Sequence, residues 1–476
     1  MKDSLLKVYH HAPYPLKVLA ASAWGYYLRW WRYGPETERV VAEALARETW
    51  SPEQWQTWQE NRLGYVLHRA ATRVPYYQEQ WAERRRRGDR SSWEYLENWP
   101  ILDKEPLRQS PKAFVADDCN TAHMLEDHTS GTTGKPLVLW MNRKTVQTWY
   151  ALFEARWLRW YGLNRHDRWA HVGGQLVTPV ASRQPPFWVW NAALNQLYMS
   201  SYHLAPDLIC HYLEAIKRYR VKYVLGYSSS LYALAQEVLR QPRDDLQLVA
   251  AITDAEPLFD YQKKAIAQAF RCQVHQTYGM SEMVVAASEC ESGLLHLWPE
   301  AGYLELMNDD QEVGPEAGEL ITTGLINPDM PLIRYRAGDR IVQPIRNHDC
   351  SCGRTLPLLP AIEGRSDDVL YTKDGRRIGR LDPVFKTDLP ILEAQIIQES
   401  LDLIKIRIVP APGFSEEAAR PIVARLQERM GPIEVVLEPT REIPREPNGK
   451  FRAVICNLPP EEKAKLQRGS REAPHG

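Results

Sequence analysis

The sequence predicts an α/β protein in two parts, a large domain of helices alternating with mostly parallel strands and a small α+β domain behind it. Three observations predict it. The 476 residues exceed what one hydrophobic core usually organises. From about residue 145, short apolar runs alternate with helical periodicity, the pattern of a parallel sheet covered by helices. After about residue 365 the pattern changes, and Ile404, Ile406 and Ile408 line one face of "LIKIRIVP".

The N-terminal segment, 1–95, reads as helices. "YPLKVLAASAWGYYLRWWRYG" is aromatic and basic, but Lys17, Arg29 and Arg32 leave an uncharged run too short to span a bilayer. It is expected to dock on its own domain, with a membrane surface as the alternative. Ser51, Pro52 and Gln54 form a capping box, and Trp55, Trp58, Leu63, Val66, Leu67 and Ala70 follow at core-facing helical spacing. "ERRRRGDR" reads as a solvated helix end, because acidic residues flank and interrupt it.

Residues 96–365 form the expected core of the large domain. "VKYVLGY" is a strand, and "SSSLYALAQEVLRQ" is a helix entered through a serine cap. "LVAAITDAEPL" and "CQVHQTYG" are further strands ending in polar loops. Ligands of such sheets gather at the carboxyl ends of the strands, so these loops are the ones to watch. In the small domain, 366–458, "SEEAARPIVARLQERMG" is a helix stopped at Gly431 and "IEVVLEP" is a strand. The charged stretch 459–476 is expected to be a flexible tail.

A formal charge of -1 argues against a nucleic-acid partner, whose footprint is strongly basic. Seven cysteines thinly spread through the chain make no disulfide framework, and no signal core precedes a cleavage-like site. The expectation is a reducing, cytoplasmic location, with peripheral membrane contact as the variant.

Chemistry enters with "HTSGTTGKP", His128–Pro136, which has no aliphatic side chain. Its glycine amides, the hydroxyls of Thr129, Ser130, Thr132 and Thr133, and the Lys135 ammonium make a donor-rich loop suited to polyphosphate. Pro136 after the lysine excludes a Walker loop. "QTYGMSE" places Tyr278, Gly279 and Glu282 after a strand: an aromatic face, a turn glycine and a carboxylate able to hold Mg²⁺. "RYRAGDR" sets Asp339 in a glycine turn, where a carboxylate can accept from both ribose hydroxyls. "EGRSDD" offers Arg365 and Asp367 at the domain junction, and "PNGK" projects Lys450 from a tight turn.

Together with "DAEPL" (Asp254–Leu258), these motifs stand in the order of one family. Over roughly residues 60–458 the chain resembles the adenylate-forming superfamily of AMP-producing carboxylate ligases, in its phenylacetate-CoA ligase branch with the capsule-biosynthesis relatives. The resemblance implies a large adenylate-forming N-terminal domain and a mobile C-terminal lid. It implies that Thr129, Ser130, Gly131, Thr132, Thr133 and Gly134 grip the β- and γ-phosphates of ATP. Ala255, Glu256, Pro257, Tyr278 and Gly279 would frame the adenine, and Glu282 would bind Mg²⁺. Asp339 would hold the ribose, Arg365 would approach phosphate or ribose, Asp367 would be the hinge, and Lys450 would swing in for adenylation.

The implied reaction activates a small carboxylic acid, aromatic acids included, and hands it to coenzyme A after the lid rotates. After "GRSDD" the chain reads "VLYTKDGRRIG", a hairpin-like insert of the capsule-type relatives, which weakens the thioester step. The alternatives are an adenylating enzyme of capsule or envelope biosynthesis with a non-CoA acceptor, and a catalytically silent nucleotide-binding relative. Oligomeric state is open, a homodimer included.

Finally, "ECESGLLHL" and "HDCSCGR" place Cys290, His296, Cys350 and Cys352 in polar, glycine-punctuated segments. Three thiols and one imidazole match a closed tetrahedral structural zinc site, with His348 as the substitute for His296.

Overall fold

Apolar residues at helical spacing build the N-terminal region, as α1 (Tyr14–Arg32), α2 (Thr37–Ala46), α3 (Pro52–Arg73), α4 (Pro75–Arg86) and the short α5 (Lys104–Gln109). The computed structural model describes residues 8–129, 137–179, 182–205, 207–308, 312–314, 317–341, 343, 345, 350–360, 362–365, 370–373, 377–378, 390–445 and 451–469. The capping box of α3 is present: the Ser51 hydroxyl accepts from Gln54 N (3.3 Å), and Gln54 Oε1 accepts from Ser51 N (2.9 Å). Trp55, Val66, Leu67 and Ala70 are buried along its inner face, while Trp58 and Leu63 are half-buried. The arginines at the end of α4 are solvated and paired locally, Arg84 with Asp89 and Arg87 with Glu83.

The chain divides into two units. The larger comprises Met1–Leu258, Gln262–Ala337 and Gln343–Pro360; the smaller comprises Phe259–Tyr261, Gly338–Val342 and Ala361–Gly476. In the larger unit β1 (Leu125–His128) and β2 (Val138–Met141) form an antiparallel hairpin. Helix α6 (Arg143–Phe153) follows, capped by Asn142 Oδ1 accepting from Thr145 N at 2.7 Å.

The main sheet contains β3 (Trp169–Gly173), β4 (Trp188–Asn191), β5 (Gln196–Ser200), β6 (Tyr223–Tyr227), β7 (Ala250–Asp254), β8 (Gln273–Gly279), β9 (Ala286–Glu289) and β10 (Leu295–Leu297). Their order is β10-β9-β8-β7-β6-β3-β5-β4; β5, β3, β6, β7 and β8 run parallel, and the pairings of β4 with β5, β8 with β9 and β9 with β10 are antiparallel. Helices α7 (Ile209–Arg218), α8 (Ser228–Arg240) and α9 (Asp260–Phe270) supply the crossovers. Their Leu213, Leu231, Leu234 and Phe270 bury against Val172, Leu197, Val224 and Ala251 of the sheet. Alternate residues of these strands face the opposite side, so the strands are apolar almost throughout, as a covered parallel sheet requires.

One expectation is corrected here. No serine caps α8; the Glu256 carboxylate from the β7 loop accepts from Ser229 N (3.0 Å) and from the Ser228 hydroxyl (3.3 Å). An acid at a helix N-terminus satisfies open amides and the dipole together, and a sequence window cannot show it when it comes from another strand.

Beyond the main sheet, β11 (Gly302–Met307) pairs antiparallel with β12 (Val313–Gly314) and β13 (Gly318–Gly324). Strand β14 (Tyr335–Ile341) ends in the smaller unit, where it pairs with β15 (Ile362–Arg365). The short β16 (Leu370–Tyr371) and β17 (Arg377–Ile378) pair as a hairpin within "VLYTKDGRRIG". A four-stranded sheet, β20-β19-β18-β21, uses β18 (Ile391–Gln398), β19 (Leu403–Pro410), β20 (Glu434–Pro439) and β21 (Val454–Cys456). Ile404, Ile406 and Ile408 are fully buried against Ala419, Ile422 and Leu426 of α10 (Glu416–Met430). Gly431 ends that helix at φ +79°.

A second correction concerns the expected flexible tail, whose residues from Pro460 to Gly469 form α11. Glu461 and Glu462 occupy its first turn, where acids favour a helix even without an apolar stripe. No helix among the described residues is long and apolar enough to cross a membrane.

Candidate functional site

The parallel strands of the larger unit carry their polar loops at one edge. Tyr227 at the end of β6 is in register with Asp254 at the end of β7, and β8 ends beside them at Tyr278 and Gly279. Immediately after β7 the chain turns left-handed, with Ala255 at φ +60°. A non-glycine residue held there stores strain that its surroundings must impose, and such strain gathers at ligand sites. Glu256 and Ser228 impose it: the Ser228 hydroxyl also donates to Pro257 O at 2.6 Å, so the "DAEP" loop is tied to the start of α8. The Glu256 carboxylate therefore faces α8, while the backbone around Ala255 and Pro257 forms the exposed rim. Burial, with Asp254 and Glu256 nearby, pushes the Tyr227 phenol far above its ordinary value and keeps it protonated.

Glu282 lies just past β8. Its Oε1 accepts from the Tyr335 hydroxyl at 2.8 Å, and Tyr335 is fully buried. This bond brings the "YGMSE" and "RYRAGD" segments together and aims the carboxylate. Lys104 enters the same place: its ammonium lies 6.0 Å from the centroid of the Tyr335 ring and donates to Ala337 O at 3.2 Å. The segment before it pairs with the strand, Leu102 N donating to Arg334 O (2.9 Å) and Arg336 N to Leu102 O (2.9 Å).

Thr129 marks the root of the Gly/Thr loop. Its hydroxyl accepts from Leu137 N (2.9 Å) and its amide donates to Leu137 O (3.1 Å), so the loop springs from a closed hairpin base. Asn327 donates to Trp140 O at 2.9 Å and fastens that hairpin to the segment leading into Tyr335. Ser130, Gly131, Thr132, Thr133, Gly134 and Lys135 lie outside the described residues, as do Asp367 and Lys450. In the smaller unit, Asp339 is buried and is the backbone partner of Arg365 across β14 and β15. Thr129, Ala255–Pro257, Tyr278, Gly279 and Glu282 are thus placed in the larger unit, and Asp339 and Arg365 in the smaller.

A second constellation sits at β9 and β10, the strands next to β8 in the sheet. Cys290 follows β9, a turn at Gly293 (φ +80°) reverses the chain, and His296 is in β10. Cys350 and Cys352 face them from a second turn at Gly353 (φ +79°), where Gly353 N donates to Cys350 O. Strand-like bonds join the two segments: Leu297 N to Pro357 O (2.8 Å) and Leu359 N to Leu295 O (2.9 Å).

The four ligand atoms lie within 4.8 Å of one another. Cys290 Sγ is 3.7 Å from Cys350 Sγ, and Cys352 Sγ is 3.4 Å from His296 Nε2. Tetrahedral zinc with its usual bond lengths sets sulfurs about 3.8 Å apart and sulfur and nitrogen about 3.5 Å apart, so the donor set fits the ion. His296 Nδ1 bonds to Leu356 O at 3.0 Å, which leaves Nε2 as the lone-pair nitrogen, and burial depresses the imidazole's pKa so that it stays neutral. Arg354, stacked on Trp160 and paired with Glu48 and Glu291, pins the Cys350–Cys352 loop. His348 lies outside the described residues.

Comparison with known proteins decides the family. Residues 56–321, more than half of the chain, match the model of the AMP-binding enzymes. The chain belongs to the AMP-binding enzyme family. Residues 370–457 match the CapK C-terminal domain. Among curated proteins, the chain is 23% identical over 376 residues to Protein CapK of Staphylococcus aureus, covering 75% of this chain and 80% of that protein. It is 28% identical over 352 residues to a phenylacetate-coenzyme A ligase of Pseudomonas putida, covering 71% of this chain and 76% of the other. A solved 2-hydroxyisobutyryl-CoA ligase in the postadenylation state, in complex with R3-HIB-AMP, shares the fold with a TM-score of 0.66. The likeness covers 90% of this chain and 94% of that one at 21% identity.

As an AMP-binding enzyme of the adenylate-forming superfamily, the chain carries its polar loops at the strand ends where this architecture gathers ligands. Two residues that motif reading passed over belong to that edge, Tyr335 and Lys104. Tyr335 stands inside "RYRAGD", where only the aspartate drew attention. Lys104 follows a two-residue bridge too short to register as a strand, and its importance appears only through β14.

Proposed function

We propose that the chain is an AMP-forming ligase that joins a small organic acid to ATP as the acyl-AMP and passes the acyl group to coenzyme A. The observation that carries this reading is Glu282, aimed by the buried Tyr335 hydroxyl, at the strand edge that also holds the strained Ala255 loop. A carboxylate attacking the α-phosphate meets anionic repulsion, so the enzyme must place positive charge where the phosphoryl and pyrophosphate oxygens gain negative charge. Mg²⁺, when bound, supplies part of it, and Glu282 is the residue to hold the ion.

The remaining roles follow the family order. The donors of Thr129–Gly134 hold the β- and γ-phosphates, the Ala255–Pro257 backbone with Tyr278 and Gly279 frames the base, and Asp339 accepts from the ribose. Arg365 approaches phosphate or ribose, Asp367 absorbs the hinge rotation, and Lys450 provides the adenylation charge. The acid itself is small, an aromatic acid being the first to try.

The match of residues 370–457 to the CapK C-terminal domain favours a second reading, in which the same adenylate goes to an acceptor other than coenzyme A. A pyrophosphate-exchange assay over a panel of organic acids, with and without coenzyme A, tests both. Exchange with thioester formation supports the first; exchange without thioester supports the second; no exchange with any acid defeats both.

The Cys290, His296, Cys350 and Cys352 cluster is assigned to a structural Zn²⁺, because four protein ligands leave no open position for substrate. Metal analysis of the purified protein should return one zinc per chain, and none in Cys290→Ser.

A further inference from the structure

We propose that the outer face of α1 docks this protein on an anionic lipid surface. A helix packed on a soluble domain turns its apolar stripe inward and its charges outward. Helix α1 departs from this. Its inner face is anchored at one end by Trp31, buried against Met141, Val146 and Met283, and elsewhere largely by polar and small groups: the buried Lys17 ammonium donates to His10 O (2.8 Å) and Val177 O (3.0 Å). The Ser22 hydroxyl accepts from Ala192 N (3.1 Å), and Gly25 lies so close to Asn191 that a Cβ would stand 2.0 Å from its Oδ1. Outward, Leu16, Leu19, Trp24, Tyr26, Tyr27 and Trp30 are from 43% (Tyr27) to 67% (Leu19) exposed. Plotted at 100° per residue they fall within one half of the helix, with the buried Trp31 near the Trp24 margin, and the rings of Trp24 and Tyr27 stack at 4.9 Å.

Charge selects the occupant. Residues 4–35 contain no aspartate or glutamate, so every formal charge on α1 is positive. Arg143 adds another at its C-terminal end, lying 4.1 Å from the Trp30 ring and donating to Trp30 O (2.9 Å). Arg29 and Arg32 form no ion pair with any described carboxylate; both border a cavity of about 570 Å³ beside the helix, and Arg32 lies over the Tyr150 ring.

Trp and Tyr with flanking arginines suit the boundary between lipid headgroups and acyl chains, where rings bury their faces and keep polar tips wet. Anionic headgroups then supply the counter-charge the protein withholds. With no spanning helix among the described residues, the contact is in-plane. The proposal does not rest on the ligase reading.

The test is flotation of the full-length protein with vesicles of neutral phosphatidylcholine or of phosphatidylcholine mixed with phosphatidylglycerol. Each basic residue near an anionic surface contributes about 1 kcal/mol, so wild type should bind the mixed vesicles on the order of tenfold more strongly, with high salt removing the preference. The triple variant Leu19→Ser/Trp24→Ser/Tyr27→Ser should lose tenfold or more of that binding while keeping its thermal midpoint and its pyrophosphate exchange. Arg29→Glu should lose the charge preference alone. Equal flotation on both vesicles, or a triple variant that floats like wild type, overturns the proposal. So does a wild-type dimer in light scattering that the triple variant dissolves without any flotation, which would assign the face to a second copy of this chain.

Discussion

The Cys/His cluster and the edge of polar strand ends both adjoin the main sheet and are built in opposite ways. The cluster is assembled from two tight turns, each closed by a glycine of positive φ, and three of its four side chains are buried. The edge is assembled from ends: strand termini, a hairpin root, and loops that come from widely separated parts of the chain. A closed site derives its geometry from local turns, so its ligands are fixed by burial. An open site must admit a large ligand, so only its supports are fixed, and those supports are hydrogen bonds such as Tyr335 to Glu282.

Disturbing each region in turn should separate them. The largest effect is expected at the cluster, because on the zinc assignment proposed above, leaving three thiols and an imidazole without an ion removes several kcal/mol of folding free energy. Chelation, or Cys350→Ser, should lower the thermal midpoint by several degrees, the order of magnitude such a loss implies for a unit of this size. Activity of the protein that stays folded should change little. Lys450→Ala should do the converse: melting unchanged, but adenylation slowed at least a hundredfold, equivalent to about 3 to 4 kcal/mol of transition-state stabilisation, while ATP still binds.

Tyr335→Phe sharpens the contrast inside the edge. Losing one bond to a charged group costs about 1.5 to 3 kcal/mol, to be read as a raised Mg²⁺ requirement in pyrophosphate exchange. A full rescue by extra Mg²⁺ would mark Tyr335 as a positioning residue; an unchanged Mg²⁺ dependence would remove it from the site. The smallest effect belongs to Glu256→Ala, which uncaps α8 and should cost about 1 kcal/mol of stability in a denaturant melt. The KM for ATP should then move only modestly, because the Glu256 carboxylate faces the helix. A large KM change with stability intact would return Glu256 to direct contact with the base.

Much of this protein was legible in its sequence, for definite physical reasons. Period-two alternation at Ile404, Ile406 and Ile408, helical spacing from Trp55 to Ala70, and the Ser51 capping box are local rules, and local rules survive without coordinates. Motif order named the family, because a polyphosphate loop, an acid after a strand and a turn aspartate have residue types that packing alone would not choose.

What tertiary structure decided is where distant segments meet. Glu256 replaces a serine cap because β7 ends beside α8, Tyr335 matters because β14 carries it to Glu282, and Lys104 because the segment before it pairs with β14. His296 meets Cys352 because a turn folds one strand back. Such encounters depend on hydrogen-bond distances across dozens of residues, and those distances are set by the packing of the sheet; no window of sequence contains them.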